Sequence, residues 1–332
     1  MTEPVSPKRG RAVAWLCWLY LTLILAVWAL VALASDEWWP ATLLMFLPRW
    51  MWALPLVLLA PLAAWRRPHA QWILLAGGIV VAWQLMGFSI PWNRLSNEES
   101  DRFRCRVLTC NVHRNPFGIK GIFAEIRPDI VVLQDCPHHF EPTDFGEGRW
   151  YVWSHGQFVL ASRYPILEPI ALEPPEGPRD AAVRARLKAP GDFDIRFYVL
   201  HLESPRDALV ALRRRGLDGG EVLQTNSNTR RSQSAAITAW ILKDTGPLLI
   251  AGDFNTPSDS TIYNTFWSDY SNAFSEAGLG WGHTYHANHV ALRIDHILAG
   301  PGWRCRHCWV GPEVGSEHRP VIADMEWVGA GK

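Results

Sequence analysis

The stretch LIAGDFNTP (residues 249–257) decides how the rest of the chain is read. An apolar run breaks at Gly252 and then presents Asp253 and Asn255 two positions apart. In an extended chain such positions project to the same side, so both polar groups face one point while Phe254 turns away. Alone, a D-x-N also suits a turn, because Asp and Asn are common turn formers. Its meaning comes from similar strand ends elsewhere. Asn111 ends the apolar run of LTCNVH, Asp135 follows Gln134 at the end of DIVVLQD, and His201 closes FYVLH. Asp295 and His296 interrupt RIDHIL, and Glu317 and His318 precede the last apolar segment, VIADMEW. Carboxylates, amides and imidazoles delivered repeatedly at strand ends suggest hard oxygen ligands for Mg2+ or Mn2+. The imidazoles among them are able to contact or protonate a phosphate.

Outward from these ends, short apolar runs predict strands at 105–112, 129–135, 158–162, 182–187, 195–202, 247–253, 293–299 and 321–327. DIVVLQD is continuously apolar, as in a strand buried on both faces. In VIADMEW, Val321, Ala323, Met325 and Trp327 share one face at period two. Helices are expected over 121–127 and 229–243. Residues 206–228, charged and glycine-containing with Arg213, Arg214 and Arg215 in a row, read as a flexible surface insertion. Many strands with few intervening helices suggest mixed sheets stacked face to face and flanked by helices, rather than a doubly wound fold.

The first ninety residues have a different character. Residues 12–34 carry no charge, long enough to span a hydrocarbon core as a helix. Residues 70–88 are also uncharged, and about 42–65 form a further apolar stretch with Arg49 expected at its outer edge. Three transmembrane helices are therefore expected. Lys8, Arg9 and Arg11 precede the first, and Arg66 and Arg67 separate the second from the third, whereas Asp36 and Glu37 follow the first. Basic residues stay preferentially on the cytoplasmic side. Residues 1–11 are thus expected in the cytoplasm, with a linker at 89–102 leading to an extracytoplasmic domain at 103–328. A signal peptide cleaved near Ala34 is the competing reading, but the apolar run exceeds the usual core of such a peptide.

Charge narrows the substrate. Six of the 32 basic and three of the 32 acidic residues precede Phe88, which leaves the domain mildly acidic. That is a poor fit to a nucleic-acid backbone, which asks for clustered positive charge. A lone C-x-x-C at Cys305 and Cys308 is too little for a four-ligand zinc site. His283, His286 and His289 in GHTYHANH read as a loop on the substrate side rather than a metal cluster.

Taken in order, LTCNVH, DIVVLQD, YVLHLES, the R-x-x-Q of RRSQ, IAGDFNTP, RIDHIL and SEHRPV resemble the motifs of the endonuclease/exonuclease/phosphatase superfamily. That group includes DNase-like nucleases, apurinic endonucleases, neutral sphingomyelinases and inositol polyphosphate phosphatases. The resemblance covers about residues 103–328 and implies a four-layer α/β sandwich. It also implies roles. Asn111 and Asp135 would hold the divalent ion, with Glu317 a further ligand directly or through water. Asp253 would orient or deprotonate the attacking water, and Asn255 would fix the phosphate. His318, held in its tautomer by Asp295, would bind the phosphoryl oxygens, and His201 would assist the leaving group. Two positions depart from the pattern: the family usually has Gln-Glu at Gln134-Asp135 and Ser-Asp-His at Ser316-Glu317-His318. The membrane helices add a resemblance to members linked to teicoplanin resistance. The expectation is a membrane-anchored, metal-dependent phosphoesterase acting on a phosphorylated, possibly lipid-linked substrate in the bilayer. An extracytoplasmic nuclease and a catalytically silent membrane binding protein are the alternatives.

Overall fold

In the computed structural model, which describes residues 7–91, 102–172, 180–287 and 289–329, the chain divides into two units. The first comprises Met1–Phe88 with the short segment Asp259–Thr261. It contains α1 (Pro7–Ala34), α2 (Trp39–Phe46), α3 (Leu54–Arg66) and α4 (Gln71–Ile79). Within α1, Gly10–Ala34 has a mean hydropathy of 2.4 and is long and apolar enough to cross a membrane.

The other two expected spans need correction. Residues 42–65 do not form one straight helix: α2 and the helical segment Arg49–Arg66 meet at 84°. Pro48 lies at the break and the preceding Leu47 is extended, as proline's ring imposes on the residue before it. Over 70–88 the regular helix ends at Ile79 and continues as a π-helical turn, Val80–Leu85. Among the described residues one helix therefore qualifies as a span, or two if the bent pair counts as one. Arg49 is not at an outer edge. It is 8% exposed, donates to the carbonyls of Met45 and Leu85, and pairs with Asp259 at 2.8 Å. A Cβ on Gly10 would lie 3.4 Å from the carbonyl oxygen of Arg66, so the basic residues at the start of α1 and the end of α3 share one end of this unit.

The second unit is built on two six-stranded sheets. The first contains β1 (Arg104–Asn111), β2 (Ile130–Gln134), β3 (Tyr151–His155), β4 (Phe158–Ser162), β13 (Trp303–Val310) and β14 (Val321–Trp327), in the order β13-β14-β1-β2-β4-β3. The second contains β5 (Ile166–Leu172), β6 (Ala182–Ala189), β7 (Phe193–His201), β8 (Leu248–Asp253), β9 (Ser271–Asn272) and β12 (Asp295–Ala299), in the order β5-β6-β7-β8-β12-β9. Both are mixed, with β1 parallel to β2 and β7 parallel to β8 among antiparallel neighbours. A separate hairpin pairs β10 (Tyr285–Ala287) with β11 (Val290–Leu292).

Alternation along the strands creates the layers. Val107, Ile130, Val132, Phe158 and Leu160 meet Val183, Phe197, Val199, Leu249, Ala251 and Ile297 in the core between the sheets. The opposite faces, at Leu108, Val131 and Leu133, pack on Ile119 of α5 (Phe117–Lys120) and Phe123 of α6 (Phe123–Ile126). On the far side Tyr198, Leu200 and Ile250 pack on Ile237 and Ile241 of α8 (Gly219–Ile241) and on Phe254 and Trp267. The predicted strands at 158–162 and 321–327 coincide with β4 and β14, and β2 is buried along its whole length.

The insertion is not irregular. Residues 206–228 form α7 (Arg206–Arg215) and the first half of α8, which continues unbroken to Ile241. Gly219 permits the tight join: a Cβ there would come within 2.7 Å of the Ala211 carbonyl oxygen. The expected helix at 121–127 shrinks to α6, closed by Arg127 in the left-handed region at φ 50°. Cys305 and Cys308 both face the core because a bulge shifts the register of β13 between Cys305 and His307. All six cysteines are free and buried. Of the expected linker, residues 92–101 lie outside the described residues.

Gly252 is where the fold meets the site. Its φ is 156°, and a Cβ there would press into the backbone of Leu200 on β7, 2.7 Å from that residue's nitrogen. Gly252→Ala is expected to destabilise the chain by about 2 kcal/mol or more, since only backbone movement relieves the clash. Thermal unfolding of the detergent-solubilised chain measures this; an unchanged midpoint would show that β8 does not need this close approach.

Candidate active site

The ends of β1, β7, β8 and β12 deliver Asn111, His201, Asp253 and Asp295, and the turn before β14 adds His318. Register explains the convergence: His201 stands beside Asp253 across the parallel β7–β8 pair, and Asp295 beside Asp253 across the antiparallel β8–β12 pair.

Asp253 is at the centre and is 1% exposed. One carboxylate oxygen accepts from the Asn255 backbone N–H at 2.9 Å. The other accepts from the Asn111 amide at 2.9 Å and the Asn255 amide at 3.3 Å, with His201 Nε2 at 3.7 Å and His318 Nε2 at 3.8 Å. Asn255 takes a left-handed φ of 48° and anchors its amide on the Leu202 carbonyl at 2.9 Å. Burial, and then the charge of Asp295, raise the Asp253 pKa against the pull of His318, His201 and Asn111.

His318 is 5% exposed, and its Nδ1 donates to the Asp295 carboxylate at 2.9 Å. Burial works against a charge on this imidazole, yet Asp295 and then Asp253 outweigh it and raise its pKa to about 9. A protonated His318 presents Nε2–H beside Asp253, where phosphoryl oxygens would need a donor. His201 is wired differently. Its Nδ1 lies 2.6 Å from the Gln157 amide oxygen, which fixes the proton there and leaves Nε2 to accept from the Asn111 amide at 3.4 Å. Its Nε2 also faces the Asp253 carboxylate at 3.7 Å, so this ring joins the Gln157 side of the site to the buried carboxylate.

His296 lies apart from this cluster. Burial, then Arg293, lower its pKa to about 3, and the neutral ring donates to the Thr256 carbonyl at 3.0 Å. It also accepts from the Asn272 amide at 3.2 Å, and so ties the loop after Asp253 to β12.

Each of the three predicted metal ligands has a neighbour of its own. Asn111 Oδ1 accepts from the His113 N–H at 2.9 Å. Asp135, left-handed at φ 48°, has His113 Nδ1 at 3.8 Å. Glu317 is engaged by the guanidinium of Arg206. Among the described residues, Asp253, Asp295 and His318 form a group of three whose carboxylate and imidazole atoms all lie within 4.8 Å of one another. Those atoms already take N–H donors from Asn111, Asn255 and His318 itself, which makes them a proton-holding group more than a vacant cage. The amide oxygen of Asn111 and the two partly exposed carboxylates are the donor chemistry a hard divalent ion prefers.

Three side chains at this site were not predicted. Gln157 sits beside His201. Tyr285, in the stretch read as a substrate-side loop, bridges to His318 in backbone and stacks its ring edge-on at 5.0 Å. Arg206 opens α7, where the sequence signals only a charged insertion.

The sequence model described as "Endonuclease/Exonuclease/phosphatase family" matches residues 108–318. No curated protein matches the chain. Among solved structures, a 3′ phosphatase from Neisseria bound to product DNA hairpin is 19% identical, covering 67% of this chain and all of that one at a TM-score of 0.51. An endonuclease/exonuclease/phosphatase from Bacteroides vulgatus is 18% identical over 68% of this chain and all of its own, also at 0.51. A mannosyl-6-phosphatase from Bacteroides thetaiotaomicron is 14% identical over 67% of this chain and 99% of its own, at 0.47. At these identities the likeness is one of fold.

The raised pKa of His318 has a consequence for stability. Its folded value of about 9 exceeds the ordinary 6.5, so its contribution is complete below about pH 6.5 and is lost as pH rises through about 9. In chelator-treated protein the unfolding free energy should fall by about 3 kcal/mol across that window. His318→Gln should flatten the profile, and a wild-type profile already flat from pH 6.5 to 9 would refute the assignment.

Proposed function

The chain belongs to the endonuclease/exonuclease/phosphatase family, whose members hydrolyse phosphoester bonds with divalent metals, and on that premise we propose a membrane-anchored phosphoesterase with an extracytoplasmic domain and a lipid-linked phosphate or pyrophosphate substrate. The observation that carries the chemistry is the buried Asp295–His318 pair set against Asp253, with Asn111, Asn255 and His201 around it. Asn111, Asp135 and Glu317 would hold the ion, Mg2+ or Mn2+, which screens negative charge on the phosphate when bound.

The remaining work falls to the chain's own groups. Asp253, buried and with a raised pKa, accepts a proton from the attacking water or fixes its orientation. The Asn255 amide lies on the same side and steers the phosphate. His318 donates through Nε2–H to the oxygens on which charge develops, while Asp295 keeps Nδ1–H pointed away. His201, oriented by Gln157, stands across Asp253 from His318 and is placed to exchange a proton with the leaving group.

The membrane side rests on separate support. α1 is apolar and long enough to cross a bilayer, and α3 and α4 pack along it around Cys17, Tyr20, Ile24, Ala63 and Leu74. Arg11 and Arg66–Arg67 gather at the end where α1 begins, the end that positive charge assigns to the cytoplasm. A tethered domain meets bilayer substrates at high local concentration. Against a nucleic-acid substrate, Arg230, one of the few candidates for a basic groove, is fully buried and bonded to Asn226 and Ser227.

The full chain in detergent with Mn2+, given a polyprenyl pyrophosphate, bis-p-nitrophenyl phosphate and single-stranded DNA, tests the reading. Turnover of the lipid substrate is expected, with Asp253→Ala and His318→Ala each losing about a hundredfold or more in kcat. Preference for DNA would make the protein a nuclease, and turnover of none of the three would make it a binding protein. Asp253→Asn should bind Mn2+ within about threefold of wild type, as titration followed by electron paramagnetic resonance would show.

A further inference from the structure

We infer that Arg206 is the specificity residue for a second phosphate group, so that the site is shaped for diphosphate esters. The inference rests on the phosphoesterase reading and adds the class of substrate. Arg206 opens α7, in the helical insertion, and its guanidinium touches three residues of the site. It engages the Glu317 carboxylate, lies 3.3 Å from His113 Nε2 and hydrogen-bonds the Tyr285 side chain.

Depth separates this group from the reacting set. The side chains of Asp253, Asp295 and His318 are between 0% and 6% exposed, whereas those of Arg206 and Glu317 are 40% and 36% exposed. A scissile phosphate seated beside Asp253 and His318 would carry the next phosphate outward, toward this rim. A guanidinium matches two phosphate oxygens in one plane, as it matches a carboxylate. Its present partner is the carboxylate assigned to the metal. When Glu317 turns to a cation, Arg206 loses its counter-charge, and a phosphate oxygen is the like-for-like replacement.

The other arginines of the insertion do not compete for the role. Arg213, Arg214 and Arg215 lie in the last turn of α7, two turns beyond Arg206, and Arg230 is sealed inside α8's packing. An ion pair of purely structural use, part-exposed as this one is, contributes little to stability and would confer no preference between anions.

Calorimetric titration of the full chain in detergent with Ca2+, using inorganic pyrophosphate and orthophosphate in turn, needs no turnover. Wild type should prefer pyrophosphate, Arg206→Ala should lose at least tenfold of that preference, and Arg206→Lys should recover part of it. Mn2+ binding, followed by electron paramagnetic resonance, should stay within threefold of wild type in both variants. Three results overturn the inference: no preference in wild type, an unchanged preference in both variants, or loss of Mn2+ binding in Arg206→Ala. The last would mean that the guanidinium supports the metal site instead. Failure of the phosphoesterase reading looks different: wild type would bind pyrophosphate and yet hydrolyse no ester.

Discussion

The site depends on keeping one carboxylate, Asp253, almost wholly out of water. A buried charge of that kind is tolerated only when donors and counter-charges surround it. Here the donors are the Asn255 backbone and the amides of Asn111 and Asn255, and the counter-charge is His318. No single element supplies them. Asn111 comes from the first sheet, Asp253 and Asp295 from the second, and His318 from the turn leading back into the first. The sheets must therefore pack face to face before the carboxylate can be satisfied. The core of Val107, Val132, Phe197, Val199 and Ala251 sets that separation, at the roughly 10 Å usual for stacked sheets.

This dependence explains which parts were legible in the sequence. A strand buried on both faces must be apolar throughout, so DIVVLQD, FVLAS and PLLIAGD announce themselves, and their polar ends mark where burial stops. β3, β5 and β13 stayed hidden because exposed faces dilute their apolar pattern; in β13 a bulge also interrupts the alternation, and so brings Cys305 and Cys308, three residues apart, onto one face. The helical character of 206–228 was masked by charge, although charge on the outer face of a helix is what solvent favours. In the first unit, hydropathy records composition but not direction. It does not reveal that Pro48 turns the chain through a sharp angle or that the last helix loosens into a π turn at Val80.

At the site the same division holds between what a strand end presents and what tertiary packing adds. Asn111, His201, Asp253 and Asp295 could be read because each closes or opens an apolar run. Gln157, Tyr285 and Arg206 carry no such mark, and only the fold sets Gln157 against His201 or Arg206 against Glu317. The orientation of the His201 ring is likewise a property of its Gln157 partner rather than of the sequence.

The two departures from the family pattern fall in a telling place. Asp135 and Glu317, each differing from the usual residue by one methylene, have side chains 20% and 36% exposed. The residues that match the pattern at the floor, Asp253, Asp295 and His318, have almost no exposure. A floor side chain is confined by neighbours on all sides, and a change of one methylene there would open a gap or force an overlap. At the rim the side chain can swing, and a shorter Asp or longer Glu changes reach without disturbing the packing. The left-handed backbone at Asp135 and the guanidinium beside Glu317 further change where each carboxylate points. The rim can thus change its reach while the floor is held in place by its packing.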